Sequence, residues 1–129
     1  MKRFAMIFLV LIMGLCLANN VLAADKSAIQ KQVDDIVLAI DNGKTAQDFM
    51  SAAQDKPYYV FIMEEEGTLL VHPTLTGQSL KEKAEPAFTA CATATADGTW
   101  VGYVWKGKQK HTYVRKTKGG LIVGSGYSE

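Results

Sequence analysis

The chain has 129 residues, 48% of them apolar and 21% charged, and its 14 basic and 13 acidic residues leave a formal net charge of +1. That length suits one domain with a hydrophobic core of its own. A charge so near balance gives no electrostatic footing for nucleic-acid binding, so that class is excluded.

Lys2 and Arg3 precede an apolar run from Phe4 to Ala18, followed by Asn19-Asn20 and a small-residue site at Val21-Leu22-Ala23. This is the layout of a secretory signal peptide. At about 1.5 Å per residue the run makes a helix of roughly 22 Å, short of the roughly 30 Å hydrocarbon core of a bilayer. Cleavage is expected after Ala23, with Ala24 as the alternative, dividing the chain into a leader at 1–23 and a single domain at 24–129 with no stable membrane span. Cys16 does not fit a lipid-attachment site, because Leu15 stands where a small side chain is needed. The expected location is the periplasm. Lys2 and Arg3 both leave with the leader, so the exported domain has a net charge of −1. It keeps only Cys91, which rules out an internal disulfide and a Cys-based metal cluster.

Ser27 and Gln30 form a capping-box pattern, and Ile29, Val33, Ile36, Val37 and Ile40 then mark one face of a helix that Asn42-Gly43 ends. Thr45 and Asp48 repeat the start signal for a shorter helix carrying Phe49, Ala52 and Ala53, which Pro57 closes. From Tyr58 the pattern turns to strands: Tyr58 to Met63, Leu69 to His72, Trp100 to Trp105, Lys110 to Thr117 and Leu121 to Tyr127. Gly67, Gly107 and Gly119-Gly120 punctuate three hairpin connections. The stretch from His72 to Trp100 is too long for a bare loop. A helix opening at Pro86 and carrying Phe88, Cys91, Ala92 and Thr95 is predicted within it, after an irregular run from Thr74 to Lys83. The fold class is α+β, with an antiparallel sheet, leading helices on one face and the long excursion over the other.

Side chains alternate across a strand, so each strand splits into two rows. One grouping puts Val60, Ile62, Leu69, Val71, Trp100, Gly102, Val104, Thr112, Val114, Ile122 and Gly124 towards the helices. The complementary grouping collects Tyr59, Phe61, His72, Tyr103, Trp105, His111, Tyr113 and Arg115 on the other face. If the rows face this way, His72 looks into a lidded, aromatic-lined cavity, the usual form of a small-molecule site. Arginine offers a fork matched to a carboxylate, and histidine and tyrosine add single hydrogen bonds. The ligand expected is a small organic anion, held by Phe61, His72, Tyr103, Trp105, Tyr113 and Arg115, with Lys110 an alternative source of positive charge. Taken singly, each residue also has a structural explanation, a strand-end histidine above all.

The segments YYVFIMEEEGTLLVHP, TGQSL, GTWVGYVWKGK and TYVRKTKGGLIVGSGYSE, in that order, resemble the single Cache sensor domain of bacterial extracytoplasmic receptors. The resemblance runs from about Asp25 to the C-terminus. It implies a PAS-like, five-stranded antiparallel sheet with a long N-terminal helix on one face and a pocket on the other, under a short helix and loop between the second and third strands. It further implies binding of a small molecule such as a short carboxylate. By position, His72 matches the family's His-Pro, Tyr103 and Trp105 its Tyr-x-Trp strand, and Tyr113 with Arg115 the strand that brings polar groups to the pocket. With nothing after Glu129, the expectation is a stand-alone soluble form that passes information to a separate membrane chemoreceptor or histidine kinase.

Two other function classes compete with this one. An interaction or regulatory protein without a small ligand would use its surface, and there Cys91 could act as a free thiol, although a buried small residue explains it more simply. An enzyme finds little support. Gly124-Ser125-Gly126 lacks the spacing of a nucleophile elbow, TLTGQSLK lacks the Gly-Lys pair of a phosphate loop, and Glu64 to Glu66 fall in a turn. Two histidines without a nearby dedicated acid make neither a triad nor a metal site. No catalytic residue, metal or cofactor is expected.

Overall fold

The computed structural model describes residues 24–129; the expected leader and its cleavage site lie outside them. The first helix, α1, spans Lys26–Asp41. Its N-cap is Asp25, two residues before the expected cap at Ser27, and the Asp25 carboxylate accepts from the Ala28 amide at 3.0 Å. Ile29, Val33, Ile36 and Val37 are buried, as the 3.6-residue spacing requires of a face laid on a sheet. The second helical segment, Ala46–Gln54, is a 3-10 helix that carries the expected Thr45–Asp48 capping box and is kinked at Phe49.

Five strands follow: β1 (Val60–Met63), β2 (Leu69–Val71), β3 (Thr99–Trp105), β4 (Lys108–Lys116) and β5 (Ile122–Ser128). They form one antiparallel sheet in the order β2-β1-β5-β4-β3. Between β2 and β3 the chain makes a short helix α2 (Leu80–Lys83), where the sequence suggested irregular structure, and then α3 (Glu85–Cys91), which begins beside Pro86 and ends before Thr95. Ser79 caps α2 through its hydroxyl. Thr95 instead bridges to Arg115 on β4.

The register decides which side chains share a face. Trp105 pairs with Lys108 across the two-residue turn Lys106-Gly107, where both residues have positive φ (51° and 78°), the form of a type I′ hairpin. Odd-numbered residues of β3 therefore share a face with even-numbered residues of β4: Val101 lies opposite Thr112, and Tyr103 opposite Lys110. Through β5 the same face continues to Gly124 and Ile122, and so to Phe61 and Met63 on β1. A bulge between Ile62 and Met63 then sets Leu69 on this face and Val71 on the other.

Two cores result. Under α1 and the 3-10 helix lie Val60, Ile62, Val71, Tyr113 and Val123. Under α2 and α3 lie Phe61, Met63, Leu69, Val114 and Ile122, together with Leu80, Ala87 and Cys91 from the excursion. Gly124 is required where it stands, because Phe61 lies across it and an added Cβ would come within 2.4 Å of the ring.

Candidate functional site

The excursion closes over a small cavity lined by Tyr59, Phe61, His72, Leu80, Ala87, Tyr103 and Trp105. Four of the expected residues, Phe61, His72, Tyr103 and Trp105, are thus brought together. The free space is about 10 Å³, at the lower edge of what one water molecule needs. His72 packs between Tyr59 and Trp105, with ring centroids 5.8 and 6.2 Å away. Outside Tyr59 lies a more open groove of about 140 Å³, lined by residues 53–57 and Pro73.

His72 is anchored through its own turn. Its Nδ1 accepts from the amides of Thr74 (3.1 Å) and Leu75 (3.0 Å), and its amide donates to Thr76 Oγ1. An Nδ1 that accepts twice leaves the ring's proton on Nε2. Burial, then the positive charges of Lys110 and Lys106, depress the His72 pKa to about 4. The ring is neutral at physiological pH.

Lys110 sits beside this group rather than in solvent. It is only 5% exposed, and its Nζ donates to Tyr59 Oη at 2.7 Å, 4.3 Å from the centre of that ring. No carboxylate lies within 4 Å of it among the described residues. Burial pulls its pKa down from 10.5 to about 8, so at neutral pH it is an ammonium group lacking a counter-charge. On the same strand Thr112 bonds Tyr103 Oη at 2.9 Å, and burial raises the tyrosine's pKa.

Tyr113 and Arg115 are the correction. Both lie on the opposite face of the sheet, beneath α1, where Asp34 Oδ1 accepts from Tyr113 Oη and from Arg115 Nη1, each at 3.0 Å. Arg115 Nε also donates to the Ala96 carbonyl at 2.7 Å. These residues bind α1, β4 and the end of the excursion to one another and do not reach the cavity. His111 shares their face and bonds Glu129. Grouping β4 by its aromatic and cationic residues put it one position out of phase, and β5 with it. The type I′ turn contains the signal that would have placed them, because a two-residue loop makes paired residues differ in parity.

Tyr59, Leu80 and Ala87 also line the cavity, in addition to the residues expected from the sequence. Tyr59 is legible as the next outward position in the row of Phe61. Leu80 follows a Ser79–Glu82 capping pattern that marks a helix start. For Ala87 no sequence signal exists beyond its place in the helix at Pro86.

No protein-family model matches the chain. No curated protein matches it either. Among solved structures, a methyl-accepting chemotaxis protein from Vibrio parahaemolyticus RIMD 2210633 is similar with a TM-score of 0.53 at 12% identity, over 80% of this chain and 87% of that one. The ligand-binding domain of Mlp24 with asparagine has a TM-score of 0.46 at 11% identity over 66% of this chain, which spans 35% of that one. At such identities only the first likeness is informative, and it concerns the fold. The helix-backed five-stranded antiparallel sheet expected from the sequence is thus a fold similar to that of this chemotaxis protein. No helix among the described residues is long and apolar enough to cross a membrane.

Proposed function

We propose that this chain is an exported, non-catalytic sensor domain that binds a small organic anion, a short carboxylate, on the face of the sheet covered by α2 and α3. It acts in the periplasm and reports to a separate receptor. The observation that carries this reading is Lys110, a buried ammonium group with no acidic partner among the described residues. An uncompensated buried charge is costly, and an anion that pairs with it removes the cost. The neutral His72 ring adds an Nε2–H donor, and Phe61, Tyr103 and Trp105 the apolar walls that a short carbon chain needs. The fold's likeness to a methyl-accepting chemotaxis protein supports a sensing role, and the leader-like first 23 residues support export.

Room for the ligand comes from Tyr59, which separates the cavity from the outer groove and lines both. An outward rotation of its ring would open the one to the other and release the Lys110 ammonium, now bonded to its hydroxyl, for the anion. The close packing also favours a second reading, in which the same rings form a packed core and the protein works through its surface alone.

A thermal-shift screen separates the two. A panel of acetate, propionate, lactate, pyruvate and amino acids should contain at least one compound that raises the melting temperature. At a hundred times its dissociation constant such a ligand stabilises by about 2.7 kcal/mol. Lys110→Met should abolish the response, whereas Arg115→Ala should keep it. A panel that shifts nothing supports the packed-core reading. A response that survives Lys110→Met and disappears with Arg115→Ala would overturn the assignment of the site.

A further inference from the structure

The two edges of the sheet are treated differently. β2, at one edge, is three residues long, carries a bulge, and is shielded by the following turn: Leu69 N donates to Gln78 O, Gly77 N donates to Leu69 O, and Thr68 bridges to Ser79. These are ordinary devices for blunting an edge. β3, at the other edge, is a regular seven-residue strand, TWVGYVW, that contains no charged residue, no proline and no bulge, and it pairs only with β4.

The hairpin register identifies which backbone groups this edge presents. A two-residue turn closes on a hydrogen-bonded pair, here Trp105 with Lys108, and bonded pairs alternate along the ladder. Thr99, Val101, Tyr103 and Trp105 therefore turn their N–H and C=O groups towards β4, while Trp100, Gly102 and Val104 turn theirs outward. These three are symmetric about Gly102. Val104 is 61% exposed and Gly102 is exposed; α1 packs mainly on β5 and β4, with Lys26 reaching over the Trp100 ring at the start of β3.

We propose that the β3 edge pairs antiparallel with the β3 edge of a second copy of this chain about a two-fold axis through Gly102, making one continuous sheet. In that register Gly102 exchanges both backbone bonds with its own copy, and Trp100 does so with Val104 in each direction. Trp100 and Val104 side chains meet on the α1 face, and Val101 meets Tyr103 on the other. The charges outside the strand are complementary: exposed Asp97, before its start, comes to the end at which the second copy carries Lys106 and Lys108. The absence of a side chain at Gly102 removes any clash on the axis.

The test is sedimentation velocity on purified protein expressed with its own leader, from micromolar to millimolar concentration. Wild type should show a reversible monomer–dimer equilibrium. Gly102→Lys should be monomeric throughout with an unchanged melting temperature, since a Cβ there meets the movable end of the Gln109 side chain and makes only ordinary contact with the Lys110 carbonyl in the monomer, and like charges face each other across the axis in the dimer. An equimolar mixture of Gly102→Lys and Gly102→Asp should recover the dimer. If Gly102→Lys melts early, Val104→Lys replaces it, because that side chain is already exposed. A wild type that stays monomeric throughout, a Gly102→Lys dimer as strong as wild type, or a mixture that stays monomeric would each overturn the proposal.

Discussion

Two backbone amides converge on His72 Nδ1, so protonating that nitrogen breaks both bonds and puts a cation beside Lys110. The folded pKa of about 4 lies below the ordinary 6.5. The contribution of this ring to stability is therefore complete above pH 6.5 and is lost as the pH falls towards 4. Denaturant titrations across that range should show a shallower loss for His72→Asn, whose amide oxygen can still accept from the Thr74 and Leu75 amides, than for wild type. His72→Ala leaves those amides without their acceptor and should cost about 1–3 kcal/mol at pH 7. Lys110 gives a slope of the same sign at higher pH. Its folded pKa of about 8 lies below 10.5, so stability without ligand should rise between those values as the ammonium loses its proton, and Lys110→Met should remove that rise. Affinity for a carboxylate should fall over the same interval. Cys91 is fully buried, and burial pushes its thiol up to about 12. A thiol reagent should label it only after the protein unfolds; labelling of the native protein would point to a redox role instead.

At the scale of elements, the polar contact among Asp34, Tyr113 and Arg115 joins α1 to β4 and to the end of the excursion. Both charged partners are partly exposed, so solvent screening keeps the pair's contribution modest. Asp34→Ala and Arg115→Met should each cost about 1–2 kcal/mol by chemical denaturation. The double variant should cost less than their sum, because either change removes the shared interaction. The position of this contact shows why β4 was hard to read. Tyr113 and Arg115 look like ligand-binding residues by type, and Thr112 and Val114 look like core residues by type, yet alternation depends on register and is indifferent to residue chemistry. Only the length and hand of the Lys106-Gly107 turn connect β4 to the already correct phase of β3. The rows of β1 and β3 were legible because Phe61, Tyr103 and Trp105 are bulky apolar residues in the correct phase. α2 was hidden because a four-residue helix has too few positions to show a period.

For the molecule as a whole, the sheet separates two cores: one under α1, built on Ile, Val and Ala with Tyr113, and one under α2 and α3, built on Phe61, Met63 and Leu69 beside a buried cation. Ile29, wholly buried beneath α1, should cost about 2–5 kcal/mol on change to alanine, a large part of the roughly 5–15 kcal/mol that holds a domain of this size. The amphipathic period of α1, the strand composition, the glycine turns and the oversized connection after His72 are local features, and they suffice for the α+β class and for a covered sheet face. Which rows face each other is a non-local property, set by hydrogen-bond register across four strand pairs and by one bulge. Tertiary structure alone therefore decided that Lys110 enters the interior while Arg115 closes on Asp34, because each pairing step can turn a strand's side chains over without changing a single residue.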